Sequence, residues 1–597
     1  MVVFWPTLGN QLVDWDDDRN LINNPDFRGL GWQHLRWMVT NTLMGHWIPL
    51  TWITFGADYL LWGMNPFGYH LTNLLLHAAS AATFYFVALR LLRAASGPGS
   101  SMLSLGALAA ALFFAIHPLR VESVAWVTER RDVLSGLWFL LTVLTYLRAA
   151  EAMGARRRWW LAGSVACYAL AATSKSIVMT LPLVLIILDI YPLRRLGARW
   201  REWRAPEGRR VLAEKIPYLL LALGAAGMAT YALRSYGETL ASALPLESRI
   251  AVALYGLGFY VWKTVIPFPI SPLYQLPNPV AAADPRMVAS AAATVALTGG
   301  LLWLRRWWPA GLAVWVSYIV LLAPVSGIVQ SGPQLVALRY SYLACLGWAL
   351  LVGGAVRLLA RRAAAGRLGR GWARVGVVAT IACFVGLGVL SWRLTRVWHD
   401  SETLWSYVVP LDPASSIGHN NLGYAYLNRG KLDAAEREIL TALRLDPEWE
   451  LAQTNLAVVL FRQGRFEQAG EARTQLGSLL LKHRKYKAAA ELYQKEVNAR
   501  PGDPAAHNNL GVALMLLGDI GPAIEHFERP CASTRGTRRP DGIWPRRSNR
   551  ADDRGPPRSP ETAGLNKNRR RAMLDGKGSR PRGPGWSMDC EGGSWAG

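Results

Sequence analysis

The sequence is poor in charged residues for a chain of its length. Charged residues make up 18% of the 597 residues and hydrophobic residues 51%, whereas soluble domains average about 25% charged residues. The mean hydropathy is +0.14 although the C-terminal part of the chain is polar. This composition argues against a wholly soluble protein and against a disordered one.

Cysteine is also scarce, with five residues in the whole chain. Cys167, Cys345 and Cys383 lie inside apolar runs, where we expect small buried thiols. Cys531 and Cys590 lie in an aperiodic C-terminal segment. Because no CxxC pair and no zinc-type Cys/His spacing occurs, we predict neither a disulfide framework nor a cysteine metal site.

Acidic residues are outnumbered, with 41 Asp+Glu against 65 Lys+Arg and a formal net charge of +24. Such an excess is typical of nucleic-acid binding, but its distribution indicates otherwise. Many basic residues form short clusters between long apolar runs, as the cytoplasmic loops of membrane proteins do. The sequence therefore predicts a polytopic membrane protein without a nucleic-acid partner.

Ten apolar runs have roughly the length of a membrane span, ~17–25 residues. They cover residues 70–92, 103–119, 133–148, 159–174, 177–193, 211–233, 287–304, 309–329, 340–360 and 375–395. If the run 249–266 is re-entrant or interfacial, every basic cluster can lie in the cytoplasm. The loop 6–66 and everything after Arg396 then lie outside. Since Met1 to Pro6 is similar to the end of a hydrophobic helix, we also expect one further span before Met1 and assign 1–397 to the membrane domain.

From Trp398 onward the sequence changes to helical hairpins with a 34-residue period. Asn421-Leu422-Gly423 recurs as Asn455-Leu456-Ala457, and Pro413 recurs as Pro447. This spacing predicts tetratricopeptide repeats over 398–529. Only 20 residues separate Ala457 from Gly477, so we expect the second repeat to be shortened.

The segment 530–597 is rich in glycine, proline and arginine and has no periodicity. It carries 15 Lys+Arg against 7 Asp+Glu. We predict a disordered basic tail. One interpretation is a basic arm for nucleic acid or anionic lipid; the interpretation that we prefer is out-of-frame translation, and we assign the tail no function.

Two polar motifs stand at the outer edge of the predicted membrane domain. The first contains the acids Asp14, Asp16, Asp17 and Asp18. A carboxylate there can accept a proton from an attacking hydroxyl if burial raises its pKa; the alternatives are a divalent-cation site and a solvated turn.

The second motif runs from His117 to Leu134, and its arginines break the positive-inside trend. One guanidinium group can bind two phosphate oxygens at once, which favours a lipid phosphate as the ligand of these arginines. The alternative is that they form salt bridges within the loop. Lys175 and Arg339 also place positive charge outside. On a nearby helix face, His70, Asn73 and His77 favour interhelical hydrogen bonds over zinc.

Taken together, these motifs resemble a known family. The WDDD opening with Ile22-Asn23-Asn24-Pro25, the NPFGYHLTNLLLHA run, the HPLRVESVAWVTERRDVL loop and the terminal repeats resemble the TMTC-type transmembrane and tetratricopeptide-repeat proteins. These belong to the GT-C glycosyltransferase superfamily and are related to protein O-mannosyltransferases. The resemblance covers about 5–529, and the segment Lys175 to Arg195 is closer to bacterial members.

The resemblance implies an all-α fold, with a GT-C-like bundle of about ten present spans plus one missing span, followed by an α-solenoid of repeats. It implies transfer of a sugar, with mannose as the candidate, from a polyprenyl-phosphate donor to a hydroxyl, protein Ser/Thr above all. The reaction would take place outside a bacterial plasma membrane, where the repeats present a surface for a peptide acceptor or partner. No other cofactor is implied, and a divalent-metal requirement stays open.

The resemblance also assigns residues. The acidic pair corresponds to Asp16 and Asp17, as base and positioning group. Donor phosphate or sugar binding is assigned to the remaining candidates, His117, Arg120, Glu122, Arg130, Asp132, Lys175 and Arg339. The chain departs from the family where Glu129 replaces a glycine, Arg120 a histidine and Leu338 an acid. An inactive membrane-anchored scaffold that recruits envelope proteins is the alternative function; a transporter is less favoured, because no internal repeat occurs among the spans.

Overall fold

The computed structural model describes residues 1–97, 101–197, 199, 201–236, 244–328 and 332–533. It contains two compact units, of which the first is Met1–Arg465 and the second begins at Phe466. Within the described residues, the regular structure is helical apart from one two-stranded antiparallel sheet, Tyr274–Gln275 with Gln334–Val336, and an isolated bridge between Leu43 and His46. The all-α prediction is confirmed.

The membrane part of the first unit consists of helices of very different lengths. Its α-helices are Trp32–Thr40, Pro49–Trp62, Pro66–Ser96, Leu103–Ile116, Val121–Ala125, Arg130–Glu151, Gly154–Ser174, Leu181–Ile190, Pro206–Ala213, Ile216–Tyr236, Leu246–Val265, Pro285–Leu304, Pro309–Leu322, Ser341–Ala344, Leu346–Ala364 and Arg370–Val397. Short 3₁₀ segments are Val2–Gly9, Pro118–Arg120, Val127–Glu129, Ser176–Thr180, Glu202–Arg204, Ala323–Val325 and Leu338–Tyr340, and Asp18–Ile22 is a π turn.

Fewer helices qualify as membrane spans than the ten predicted. Among the described residues, five helices are long and apolar enough to cross a membrane, namely Pro66–Ser96, Val127–Glu151, Pro206–Ser235, Pro285–Leu304 and Arg370–Val397. Two helix pairs bent by 56° and 58° raise the number to seven if each pair is one span. The first bend lies at Pro118, which lacks an N–H and disfavours helical geometry in the residue before it. The run expected to be re-entrant is the continuous helix Leu246–Val265, which is not among the five.

Close contact between two glycines fixes the bent helices. A Cβ atom on Gly106 would lie 2.9 Å from the carbonyl oxygen of Gly353, and one on Gly353 would lie 2.3 Å from that of Gly106. Helices in membranes approach closely where small residues face each other. The glycine pair therefore holds together the helices that lead into the two bends, and the candidate site lies at these bends.

Four tryptophans join the N-terminal loop to the end of the last membrane helix and to the first helix of the repeats. Trp15 stacks on Trp126 with ring centroids 4.6 Å apart, and it also contacts Trp398 and Trp405. The backbone N–H of Gln11 donates to the carbonyl of His399 at 2.7 Å. The loop is thus held between the bend and the start of the repeats.

The repeats begin three residues after the last membrane helix. In the first unit they comprise Ser401–Leu411, Ser416–Asn428, Leu432–Leu445 and Glu450–Arg462. Gly423 allows close helix packing, since a Cβ there would meet Ile439 at 2.6 Å. Repeat neighbours also bond side chain to side chain, with the Asn455 amide donating to the Asn420 amide oxygen at 2.9 Å.

The second unit contains the remaining described helices, Phe466–Lys482, Tyr486–Ala499, Pro504–Leu517 and Ile520–Ser533. The 17-residue helix Phe466–Lys482 occupies the stretch where the sequence predicts a shortened second repeat followed by a third. The last helix continues through Pro530 to Ser533, beyond the predicted end of the repeats at Arg529. The rest of the predicted disordered tail lies outside the described residues.

Candidate active site

The adjacent acids of the N-terminal loop have different surroundings. Asp14 faces the repeats: its backbone N–H donates to the Ser401 hydroxyl at 2.8 Å, and its carboxylate accepts from Ser401 and from the Asn428 amide, each at 3.2 Å. Asp14 therefore ties the loop to the first repeat.

Asp17 faces the opposite way and is buried. One of its carboxylate oxygens accepts from the backbone N–H of Thr128 at 3.0 Å and from the Thr128 hydroxyl at 2.6 Å, and the other accepts from the N–H of Val13 at 3.0 Å. Burial raises the pKa of Asp17 to about 7 in spite of these hydrogen bonds, which lower it. With both oxygens occupied, Asp17 anchors the loop to the second motif.

Asp16 lies between these two anchors and is half-buried. Its carboxylate makes no hydrogen bond to the described residues, and its pKa is raised by burial, against the nearby positive charges of Arg131 and Arg339. A carboxylate with a raised pKa, no protein partner and cations beside it is suited to accept a proton. The two neighbouring acids thus have different surroundings, and the question which of them acts as the base stays a prediction.

Beside Asp16, three cations meet one buried acid, Glu129. Arg131 donates to both of its oxygens, at 2.5 and 3.1 Å, and the ammonium of Lys175 lies 3.0 Å from it. The Nε atom of Arg339 lies 3.3 Å from the same carboxylate. Glu129 is fully buried, so it is the centre on which the three cations converge.

Two further buried acids complete this arrangement. Asp132 lies 2.6 Å from the Lys175 ammonium, and Glu122 accepts from Arg339. We call the set the Glu129 cluster; its members are Glu122, Glu129, Arg131, Asp132, Lys175 and Arg339. With three acids and three bases it is charge-balanced, as buried charges require. Of the salt bridges within the loop that the sequence left as an alternative, the structure has the pair Arg131 with Glu129, whereas Glu122 and Asp132 pair with Arg339 and Lys175, which lie outside the loop.

Arg130 does not join the cluster, and its assignment to donor binding stays a prediction. Its guanidinium lies 2.5 Å from Asp58, donates to the Asn73 amide oxygen at 2.8 Å and packs 4.4 Å from the centre of the Phe55 ring. The helix that begins at Arg130 directs residues one position apart to different sides, so Arg131 faces the cluster and Arg130 does not.

Arg120 and His117 are also turned away from the cluster. Arg120 is buried and donates to the backbone carbonyl and the hydroxyl of Ser341, at 2.7 and 2.8 Å. The ring of His117 bonds to the Thr264 carbonyl at 3.1 Å and accepts from the N–H of Leu119 at 3.2 Å. Arg120 thus joins the two bends, and His117 joins the first bend to the helix Leu246–Val265. Both line a second cavity with Phe113, Phe114, Thr264, Cys345 and Ala349, and their role in donor binding stays a prediction.

The metal alternatives receive no geometric support. No group of three or more His, Cys, Asp or Glu side chains among the described residues could hold a metal ion, and the adjacent acids of the loop diverge. On the neighbouring helix face, His77 bonds to the Tyr342 hydroxyl and to the Ala115 carbonyl, both at 2.9 Å. Asn73 donates to the Trp126 carbonyl. These are the interhelical hydrogen bonds that the sequence favoured.

A small cavity adjoins the cluster at Lys175. It is lined by Gly45, His46, Trp47, Ile48, Ala172, Lys175, Ser176, Ala225, Met228 and Ala229. Its polar end contains His46, Lys175 and Ser176, and its wall is formed by small and apolar residues. The cavity therefore places a positive charge next to an apolar wall.

The sequence analysis did not single out Glu129, Arg131 or His46. Glu129 was treated as a departure from a family glycine, and Arg131 as one of several loop arginines. A signal was present in the run Glu129 to Asp132, where four charges enter a buried helix and require partners. A single histidine such as His46 gives no comparable signal.

Comparison with known proteins agrees with this architecture. A tetratricopeptide repeat family model matches residues 420–472 and 474–535. Protein O-mannosyl-transferase Tmtc3 of Drosophila melanogaster is 24% identical over 493 residues, covering 72% of this chain and 52% of that protein. Protein O-mannosyl-transferase TMTC4 of Homo sapiens is 35% identical over 148 residues, covering 23% of this chain and 20% of that protein. The chain thus spans about half the length of the first relative, and less of the second.

Solved structures were compared as well. ArnT from Cupriavidus metallidurans bound to undecaprenyl phosphate is 16% identical, with a TM-score of 0.31, covering 80% of this chain and 78% of that chain. Its apo state is 14% identical, with a TM-score of 0.33 and the same coverage.

Proposed function

The chain is a homologue of the TMTC protein O-mannosyl-transferases, and we propose that it transfers a sugar from a polyprenyl-phosphate donor to a hydroxyl acceptor on the extracytoplasmic side of a bacterial plasma membrane. One observation carries the proposal. The carboxylate of Asp16 has no hydrogen-bond partner among the described residues and interacts electrostatically with Arg131 and Arg339. These two cations meet Lys175, which lines the cavity, at Glu129.

The donor's charged end fits the polar end of the cavity. Phosphate oxygens accept hydrogen bonds from ammonium and guanidinium groups, and Lys175, Arg131 and Arg339 supply these donors. In this proposal Arg131 takes the role that the resemblance assigns to Arg130. Because the cluster is already balanced, the phosphate binds at the exposed edges of these cations and does not replace their carboxylates. The prenyl chain follows the apolar wall, which includes Ala225 and Met228.

The chemical step is a single displacement. The acceptor oxygen attacks the anomeric carbon and forms the new C–O bond, while the bond to the phosphate oxygen breaks and its electron pair stays on the prenyl phosphate. Asp16 takes the proton of the attacking hydroxyl. The prenyl phosphate leaves as an anion that the cations stabilise, so no general acid is needed, and the configuration at the anomeric carbon is inverted.

The acceptor approaches from the side of the repeats. Asp14 and Trp15 join the loop that carries Asp16 to Ser401 and Trp405 in the first helix of the repeats. A serine or threonine in an extended peptide on the repeats would reach the base by this route. We propose mannose as the sugar and a protein as the acceptor, as in the names of the relatives, and serine or threonine as the residue that carries the hydroxyl.

The test uses the purified full chain in liposomes with polyprenyl-phosphate mannose and a Ser/Thr peptide. Asp16→Asn should lower kcat by about 10²–10⁴-fold, the usual contribution of a general base, without loss of the folded protein. Asp26→Asn is the matched control, because Asp26 is an exposed acid of the same loop. Transfer that survives Asp16→Asn would overturn the assignment. A wild-type chain that transfers nothing but retains peptide on its repeats would favour the scaffold.

A further inference from the structure

A strained turn presents His46 to the cavity. Leu43 and His46 bond reciprocally through their backbones, at 3.0 and 2.9 Å, and the two residues between them have positive φ, 51° at Met44 and 74° at Gly45. Positive φ at both central positions is the pattern of a type I′ turn, which favours Asn-Gly. Methionine is disfavoured there because its Cβ crowds the backbone. Strain of this kind is concentrated at functional sites.

The imidazole of His46 is held neutral. Burial and the positive charges of Arg131 and Lys175 lower the pKa of His46 well below its ordinary value. The ring makes no hydrogen bond to the described residues, yet it lines the cavity beside Lys175. A neutral imidazole has one N–H donor and one nitrogen acceptor, so both are available to a ligand.

This chemistry fits a hydroxyl better than it fits a phosphate or a reacting proton. A phosphate anion accepts hydrogen bonds only, and the cations beside His46 already supply donors. A base whose pKa lies far below neutral pH takes up a proton poorly, which leaves that role to Asp16. A sugar hydroxyl both donates and accepts, and it therefore matches the neutral ring.

The next residue supplies a suitable neighbour. Trp47 also lines the cavity, and its indole N–H donates to the Val39 carbonyl at 2.7 Å, which fixes the ring. An indole presents a broad apolar surface with one polar edge, and here that polar edge is already bonded. Its remaining surface suits the C–H groups of a sugar ring.

We propose that His46 and Trp47 form the recognition site for the transferred sugar, with the imidazole bonded to a ring hydroxyl and the indole packed against the ring. This inference rests on the proposed function and adds to it: Lys175 and its partners hold the phosphate, and the strained turn selects the sugar. His46 is a specificity residue, and its loss changes which sugar is used.

The experiment compares wild type with His46→Ala, His46→Gln and the control His34→Ala, which removes a partly exposed histidine of the same loop that does not line the cavity. The donors share one prenyl chain and carry mannose or one of its monodeoxy analogues. Wild type should discriminate against at least one deoxy donor. His46→Ala should lower kcat/KM for the mannosyl donor about 10- to 100-fold, the usual cost of one lost hydrogen bond in a buried site, and should abolish that discrimination. His46→Gln should restore part of it, because an amide also donates and accepts.

Unchanged kcat/KM and discrimination in His46→Ala would overturn the inference while leaving the proposed transferase intact. A wild-type chain without transfer would instead overturn the proposed function. In that case His46 is tested by binding: the preference for sugar-bearing over bare polyprenyl phosphate should disappear in His46→Ala, and an equal preference in both proteins refutes the site. Thermal unfolding of each variant in detergent shows that the comparison is made on folded protein.

Discussion

The membrane part of the chain contains two clusters of paired charged side chains. They are similar in composition, but only the Glu129 cluster has the features of a candidate catalytic site. The second, which we call the Asp189 cluster, contains Tyr146, Asp189, Arg195, Glu214 and Lys215. Asp189 lies 2.6 Å from Lys215 and 3.1 Å from Arg195, and Glu214 lies 2.6 Å from Arg195. Arg157 also bonds to Glu214, and Arg195 and Glu214 are partly exposed. As in the Glu129 cluster, each acid is paired with a base, so paired charges by themselves do not identify a catalytic site.

The clusters differ in what lies beside them. Each carboxylate of the Asp189 cluster is paired with a base, whereas Asp16 stands next to the Glu129 cluster without a hydrogen-bond partner among the described residues. The Glu129 cluster also joins chain segments far apart in sequence, from Glu122 to Arg339. A catalytic site of the proposed kind needs both the paired charges and a carboxylate without a hydrogen-bond partner that can act as the base.

The largest effect on stability should come from removing the central acid. Glu129→Gln leaves three cations around a neutral side chain and should cost about 3–5 kcal/mol of unfolding free energy. Asp189→Asn, its counterpart, removes the acid that pairs with Lys215, whereas Arg195 keeps its ion pair with Glu214, so the cost should be somewhat smaller. The difference lies in activity: per folded molecule, Asp189→Asn should retain transfer and Glu129→Gln should lose it. Equal transfer by both variants would contradict the distinction between the clusters.

A smaller effect is expected at the anchor of the loop. In Asp17→Asn the amide oxygen can still accept from Thr128, but the NH₂ group faces the N–H of Val13, and two donors then oppose each other. We expect a loss of about 1–3 kcal/mol, measured by unfolding in detergent. Thr128→Val, which removes one donor and leaves the acid, should cost less.

Asp17 also gives the stability a pH dependence. Its folded-state pKa is raised to about 7, from 3.8, so the folded chain binds this proton more tightly than the unfolded chain does. Its contribution to stability is therefore fully present below pH 3.8 and is lost as the pH rises through about 7. This part of the pH profile should be absent in Asp17→Asn; an unchanged profile would show that other groups cause it.

Transfer should respond to pH in the opposite direction. Asp16 acts as a base only when it is ionised, so the rate should fall as the pH drops through its pKa. Because burial raises that pKa, the fall should begin above the ordinary value of 3.8. Since Asp16→Asn has no such group, its residual rate should be flat in this range.

The smallest effect is expected where the loop meets the repeats. Asp14 is partly exposed, and its hydrogen bonds to Ser401 and Asn428 are worth about 0.5–1.5 kcal/mol each at most. Asp14→Ala should leave donor kinetics unchanged and raise KM for the peptide acceptor a few-fold. An equal change in the donor KM would show that Asp14 positions Asp16 and not the acceptor route.

Much of this protein was determined by its sequence alone. Apolar runs of spanning length and the 34-residue period predict an all-α membrane protein with tetratricopeptide repeats. The acids between Asp14 and Asp18 and the charged loop from His117 to Leu134 predict an acidic motif near a basic one. These features depend on local periodicity and on residue types, which a sequence states directly. The repeat helices after Trp398 are the clearest example.

The tertiary structure decided which of these residues act together. Asp16 and Asp17 are neighbours in sequence, yet the carboxylate of Asp17 is bonded on both oxygens and that of Asp16 has no hydrogen-bond partner in the part of the chain that the structure describes. Arg130 and Arg131 also diverge, because consecutive residues on a helix point about 100° apart. Partners such as Lys175, Arg339 and His46 arrive from distant segments by helix packing. A sequence pattern indicates where a side chain points only in a segment with a repeating period. The bent loops that carry these residues have no such period.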